Sequence, residues 1–144
     1  MKHVGSTFEY EDMRNEDLLN AYKEALRIYD RSSADLYRKV VEMPTRRFYV
    51  SEERAAIVIS NMHKGRSIAQ MRPNKREMYE EIYRRVLELK KERPNDSIYD
   101  LTFAVVQQPA PKFYLTPESA RVFICYIKKQ WYEQRKKKYR HLFM

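Results

Sequence analysis

The last seventeen residues of the chain combine cationic and aromatic side chains, two types that bind nucleic acids. Seven of these residues are basic and one is acidic, so the stretch carries +6 of the total net charge of +9. Lysine and arginine neutralise phosphates and release counterions, and aromatic rings stack on exposed bases. The basic residues are Lys128, Lys129, Arg135, Lys136, Lys137, Lys138 and Arg140, with Trp131, Tyr132 and Tyr139 among them. The stretch predicts a contact with nucleic acid, although a solvated helix end can have the same composition.

Two further basic groups precede this stretch. Arg46 and Arg47 lie in the first half of the chain, and Lys112 lies at the matching place in the second half. We expect these three residues to be secondary nucleic-acid contacts. The other group surrounds the middle of the chain and consists of Lys64, Arg66, Arg72, Lys75 and Arg76.

The sequence lacks the patterns of common catalytic and metal sites. It has no glycine-rich phosphate loop, and its three histidines do not have the spacing of metal ligands. A single cysteine, Cys125, excludes an internal disulfide, and its apolar neighbours predict a small core residue. We therefore expect no enzymatic activity, no metal site and no cofactor.

The residues from Leu36 to Ser60 recur, without a gap, from Leu101 to Cys125. Nine positions are identical between the two stretches, including both members of the Phe48-Tyr49 and Phe113-Tyr114 pairs. Two copies of one small unit explain this match. Each copy alone is too small for a good hydrophobic core, so we expect the copies to pack together.

Hydrophobic periodicity predicts a mainly all-α fold. It consists of two tandem pseudo-repeats of helix, helix, short extended segment and helix, followed by a long C-terminal helix. The whole chain, 1–144, is expected to be one domain. Its parts are a loose N-terminal arm (1–11), repeat 1 (12–65), a linker (66–73), repeat 2 (74–127) and a basic extension of the last helix (128–144).

Short-range signals predict where the helices begin and end. The first helix is expected from about Asn15 to Tyr29, and the second after Ser32 or Ser33. Further N-caps are predicted at Ser51, Asn74, Ser97 and Thr116, where Asn74 and Glu77 have the spacing of a capping box. Gly65 predicts a helix end, whereas no breaker follows in the last helix. The apolar stripe of that helix is expected to remain buried as far as Trp131.

The two Phe-Tyr pairs leave two structures open. They could form a small two-stranded ribbon across a pseudo-two-fold axis, or two separate extended connectors whose aromatic rings fill the core. Because both pairs stand beside aliphatic residues, core packing is favoured over a base-stacking role.

Two stretches, FYVSEERAA (48–56) and RPNKREMYEEIYRRV (72–86), resemble a group of small basic bacterial proteins with no assigned function. The resemblance covers most of the chain. It implies a bacterial origin and a DNA-linked setting in genomes rich in mobile elements. It assigns no role to any individual residue.

The sequence therefore predicts a non-catalytic nucleic-acid-binding protein, with duplex DNA favoured over RNA. The alternative is a protein-interaction or assembly module that docks exposed aromatic and apolar surface on a partner or on a second copy. No apolar run approaches membrane-spanning length, and no apolar signal core begins the chain. A cytoplasmic protein without a membrane partner is expected.

Overall fold

The computed structural model describes residues 4–29 and 35–143, with side chains described for 10–29, 35–140 and 142. Within these ranges the chain forms α-helices and no strand. The helices are α1 (Val4–Ile28), α2 (Leu36–Val41), α3 (Glu52–His63), α4 (Pro73–Glu92), α5 (Ile98–Val106) and α6 (Pro117–Phe143). The predicted all-α class and the long C-terminal helix are confirmed.

Three predicted helix starts are formed by the expected side chains. The hydroxyl of Ser51 accepts a hydrogen bond from the backbone N–H of Arg54 at 3.3 Å. Ser97 accepts one from Asp100 at 3.0 Å, and Thr116 accepts one from Ser119 at 3.1 Å. Each cap satisfies a backbone donor that the first helical turn leaves without an intrahelical partner.

The predicted cap of α4 is wrong. The helix begins one residue before Asn74, with Pro73 in its first turn and Arg72 as an N-cap that makes no side-chain hydrogen bond. Proline already has the backbone angle of a helix and lacks the N–H that would need a cap, so it sets the start. The proposed caps of the second helix, Ser32 and Ser33, lie outside the described residues.

The first helix begins at Val4 rather than near Asn15, so the expected loose arm over 1–11 is helical from residue 4 onward. Tertiary contacts hold the turn that immediately precedes Asn15. The Arg14 guanidinium lies 4.2 Å from the centre of the Phe123 ring. The Met13 carbonyl accepts hydrogen bonds from Arg46 and Tyr49, each at 3.3 Å. Contacts to residues this distant in sequence extend a helix beyond its local start signal.

The six helices pack as two three-helix bundles. Helices α1, α2 and α6 surround one apolar core, and helices α3, α4 and α5 surround the other. Helix-to-helix contacts among these six occur only within a bundle. The third helix of each half of the chain therefore belongs to the bundle built mainly by the other half.

Two extended segments, 42–51 and 107–116, carry the chain from one bundle to the other, and we call them the crossing segments. They meet in one antiparallel bridge, in which Thr45 and Ala110 exchange backbone hydrogen bonds of 3.0 and 3.1 Å. On either side, Phe48 N–H donates to the Val106 carbonyl and Phe113 N–H donates to the Val41 carbonyl, both at 3.0 Å. These two bonds join equivalent positions of the repeated sequence.

The ribbon that the sequence left open is therefore not formed, and the Phe-Tyr pairs are core-filling connectors. Phe48 is 1% exposed and Phe113 is 4% exposed. Each ring stacks on the tyrosine of the opposite segment, Phe48 on Tyr114 at 6.0 Å and Phe113 on Tyr49 at 6.3 Å between ring centroids. Each phenylalanine thus fills one bundle core while contacting the other crossing segment.

Two core predictions for α6 are wrong. Cys125 is exposed, and Trp131 is 54% exposed, because the fully buried stripe of the helix ends at Ile124. Cys125 follows Ile124 and so points about 100° away from it around the helix. Trp131 lies where the bundle core has ended. None of the described helices is long and apolar enough to cross a membrane.

Candidate nucleic-acid interface

The C-terminal part of α6, residues 128–143, extends beyond the core, and we call it the basic tail. Every residue from 128 to 140 is exposed. At a rise of 1.5 Å per residue, the tail is about 24 Å long. Its start is held by another helix, since the Lys128 ammonium donates a hydrogen bond of 2.9 Å to the Tyr22 hydroxyl of α1.

The basic residues of the tail are unevenly distributed around the helix. At about 100° per residue, all of them except Lys137 fall within an arc of roughly 200°. Trp131, Tyr132 and Tyr139 fall within the same arc, whereas Lys137 shares the remaining side with Gln130 and Gln134. The tail therefore has one cationic and aromatic side, whereas the remaining side, which also carries Glu133, has no net charge over residues 128–140.

Two cations of the tail lie over aromatic rings one turn earlier. The Arg135 guanidinium is 5.0 Å from the centre of the Trp131 ring, and the Lys136 ammonium is 5.8 Å from that of Tyr132. Such contacts are weak when exposed, about 0.5–1 kcal/mol. They place cations and stacking surfaces side by side without neutralising the charge.

The three secondary residues are arranged differently from the prediction, because all of them pair with carboxylates. The Arg47 side chain is only 8% exposed and lies 2.7 Å from Glu52. Arg46 Nε lies 2.7 Å from Asp17, and Lys112 Nζ lies 2.6 Å from Glu77. Arg47 is therefore much less accessible than the cations of the tail, and the charges of Arg46 and Lys112 are offset locally.

The burial of Arg47 has a structural cause. Its guanidinium donates to the backbone carbonyls of Phe48 at 3.0 Å and Val50 at 2.9 Å. It thereby satisfies acceptors in a crossing segment that has no strand partner beyond the single bridge. Local composition cannot distinguish this role from that of a surface cation.

Tyr49 and Tyr114, the tyrosines of the two crossing segments, lie near carboxylates of α1 and α4 respectively. The Tyr49 hydroxyl donates a hydrogen bond to Asp17 of α1. The pKa of Tyr49 is raised, mainly by burial and secondly by this hydrogen bond. Burial, followed by the charges of Glu81 and Glu77 on α4, raises the pKa of Tyr114 to about 12. Both tyrosines remain neutral at physiological pH and serve to attach the crossing segments to the bundles.

The described residues contain no group of three histidine, cysteine, aspartate or glutamate side chains that could hold a metal ion. His63 lies at the end of α3, with Nδ1 3.1 Å from the Tyr83 hydroxyl. The absence of enzymatic activity stays a prediction.

The structure also places a groove beside the start of the tail that the sequence did not predict. The groove has a volume of about 330 Å³ and lies between α1 and α6. It is lined by Leu19, Tyr22, Lys23, Leu26, Ile127, Lys128 and Trp131. The apolar periodicity of both helices was visible in the sequence, but their parallel packing was needed to bring these residues together.

Comparisons with protein-family models, with curated proteins and with solved structures found no match. The resemblance to small basic bacterial proteins stays a prediction.

Proposed function

We propose that this protein binds nucleic acid without catalysis, through the basic tail of α6, and that duplex DNA is its preferred form. The observation that carries the proposal is the exposure of every side chain from 128 to 140, a stretch that contains seven cations and three aromatic residues. Most of these cations share one side of the helix. That side can contact a phosphate backbone while its aromatic rings pack on sugars or bases.

Helix geometry favours duplex DNA over duplex RNA. The major groove of B-DNA is about 12 Å wide and admits an α-helix, whereas the major groove of A-form RNA is too narrow for side chains to read.

Lys128 lies 4.1 Å from the centre of the Tyr22 ring. The cations further along the tail are therefore the ones free to approach phosphates.

We also propose that the chain consists of two copies of one unit that have exchanged their third helices. The equivalent hydrogen bonds of Phe48 and Phe113 and the equivalent aromatic stacks support this interpretation. The nucleic-acid contact would then be asymmetric, because only the second copy continues into a basic tail. The symmetric contacts suggested by Arg46, Arg47 and Lys112 are not part of this proposal.

Fluorescence anisotropy with labelled duplex DNA, single-stranded DNA and duplex RNA, measured across a salt series, tests the proposal. The Lys136→Gln/Lys138→Gln variant removes two exposed tail charges. A matched control, Lys91→Gln/Arg93→Gln, removes two exposed charges near the end of α4. We expect the tail variant to bind duplex DNA more weakly and to lower the slope of log K against log salt by about 2.

The control should retain the wild-type affinity and slope, and both variants should melt like the wild type. Absence of binding to all three nucleic acids at low salt would contradict the proposal. Equal losses in the tail variant and the control would show that only total charge matters.

The groove between α1 and α6 favours a second candidate, the docking of a partner protein. Its apolar floor is flanked by Lys23 and Lys128, so the complementary occupant is an acidic helix with an apolar anchor residue. Trp131 is the only tryptophan in the chain, and its fluorescence reports on the groove. A blue shift with an acidic amphipathic peptide, but not with its lysine-substituted counterpart, would support docking.

A further inference from the structure

A second basic surface lies on the other bundle, around the connection between α3 and α4. It consists of Lys64, Arg66, Arg72, Lys75 and Arg76, and we call it the loop surface. No acidic residue occurs between Glu53 and Glu77. Apart from the part of the tail after Glu133, the chain has no other segment with this many cations and no acid among them.

The cations of the loop surface have neutral partners or none within the described part of the chain. Arg66 Nη1 donates to the Asn61 side-chain carbonyl at 3.4 Å, and Arg76 Nη1 donates to the Ala69 carbonyl at 3.3 Å. Glu77 is the nearest carboxylate in sequence, but it pairs with Lys112. The charge of the loop surface is therefore not offset by neighbouring carboxylates.

This arrangement contrasts with that of the other two arginines of α4. Arg84 pairs with Glu81 at 2.7 Å and with Glu88 at 2.9 Å, and Arg85 pairs with Glu81 at 2.7 Å. These contacts hold the pKa of Glu81 below its usual value, with the Arg84 hydrogen bond as the main cause. At the start of α4, by contrast, Arg72 and Lys75 are exposed and have no ion pair among the described residues.

The loop surface and the tail belong to different bundles. The loop surface joins α3 to α4, whereas the tail continues α6, which packs on α1 and α2. The two bundles are joined by the crossing segments and share no helix-to-helix contact among the described helices. The exchange of third helices therefore separates the two most cationic segments of the chain instead of merging them into one patch.

We infer that the loop surface is a second contact for duplex DNA, so that one molecule holds two DNA segments at once. This inference rests on the proposed function, because the tail supplies the first contact. Each surface would neutralise phosphates without reading bases, so the two DNA segments need no common sequence. The expected activity is bridging of separate duplexes.

A capture assay with the full-length chain tests bridging. One duplex is immobilised on beads, a second fluorescent duplex is free in solution, and the retained fluorescence is measured after adding protein. The Arg66→Gln/Lys75→Gln variant weakens the loop surface, and the Lys136→Gln/Lys138→Gln variant weakens the tail. The Lys91→Gln/Arg93→Gln variant again serves as the control of equal charge.

We expect the wild type and the control to retain the second duplex. The loop and tail variants should each reduce retention by about fivefold or more, because bridging needs both contacts. In anisotropy measurements, the loop variant should still bind a single duplex through its tail. Its melting temperature should match that of the wild type, which shows that the loss does not come from unfolding.

Three results would overturn the inference while leaving the proposed function intact. The wild type could bind a single duplex but retain no second one, as when both surfaces contact the same segment. The loop variant could bridge as well as the wild type, as when two molecules associate and each uses its tail. The loop and control variants could lose retention equally. Absence of single-duplex binding by the wild type would instead reject the proposed function.

Discussion

Helices α3 and α6 are the third helices of the two halves, and they begin alike but end differently. Each follows a hydroxyl cap and is buried through an alanine and an isoleucine, which are Ala55 and Ile59 in α3 and Ala120 and Ile124 in α6. Helix α3 ends at His63 after 12 residues, whereas α6 continues to Phe143 over 27 residues. The matching parts of the two helices fill the cores, and the additional length of α6 is the part that is exposed.

The end of α3 is explained by one residue. Gly65 has a φ of 89°, which side chains disfavour, and its N–H donates to the Met62 carbonyl at 2.9 Å. No glycine follows Ile124 in α6. Equivalent helices of the two halves can therefore have the same role in stability and different roles at the surface.

The largest expected effect tests whether the two cores are equivalent. Phe48→Ala and Phe113→Ala should each lower the free energy of unfolding by about 3–5 kcal/mol, since each removes a buried ring and leaves a cavity. Urea denaturation followed by circular dichroism measures both. A cost below about 1 kcal/mol at one site would show that the two halves differ in their cores as well as their surfaces.

Arg47 and Lys112 occupy matching positions, and we expect their alanine variants to lower the free energy of unfolding by different, smaller amounts. Arg47→Ala removes a buried ion pair with Glu52 and the donor to the Val50 carbonyl, so we expect a loss of about 3 kcal/mol, although Glu52 keeps its hydrogen bond from Gln107. Lys112→Ala removes a more exposed ion pair and should cost less than about 1 kcal/mol. Raised salt should weaken the contribution of Lys112 more than that of Arg47. Similar costs at both positions would contradict the difference in burial.

The smallest effect concerns the helix end. Gly65→Ala should lower the free energy of unfolding by about 1 kcal/mol, because alanine is strained at positive φ. A Cβ atom at this position meets nothing within 4 Å, so no clash adds to the cost. Lys64→Ala, at the exposed neighbouring residue, is the matched control and should change stability by less than about 0.5 kcal/mol. A neutral Gly65→Ala variant would show that the helix end does not depend on glycine.

Some features of this protein were predictable because they depend on residues a few positions apart. The caps at Ser51, Ser97 and Thr116 belong to this group, since a cap is formed within one helical turn. The predicted burial of Phe48 and Phe113 followed from their repetition beside aliphatic residues and was confirmed. The concentration of positive charge after Lys128 was a matter of composition alone.

Other features depended on which distant segments meet. The sequence gives no indication that α3 packs with the second half or that α6 packs with the first. The burial of Arg47 and the exposure of Trp131 have the same origin, because burial depends on the segments that lie opposite a side chain. The α1–α6 groove likewise exists only once both helices are packed.

The sequence by itself determined the helical class, three helix starts and the position of the basic tail, because local hydrogen bonds, apolar spacing and charge carry that information. The tertiary structure alone decided which bundle α3 and α6 each join, the pairing of Arg46, Arg47 and Lys112 with carboxylates, and the placement of the loop surface and the tail on different bundles. Each of these depends on contacts between residues far apart in the chain. The crossing segments bring such residues together, and no local pattern encodes the partner that they reach.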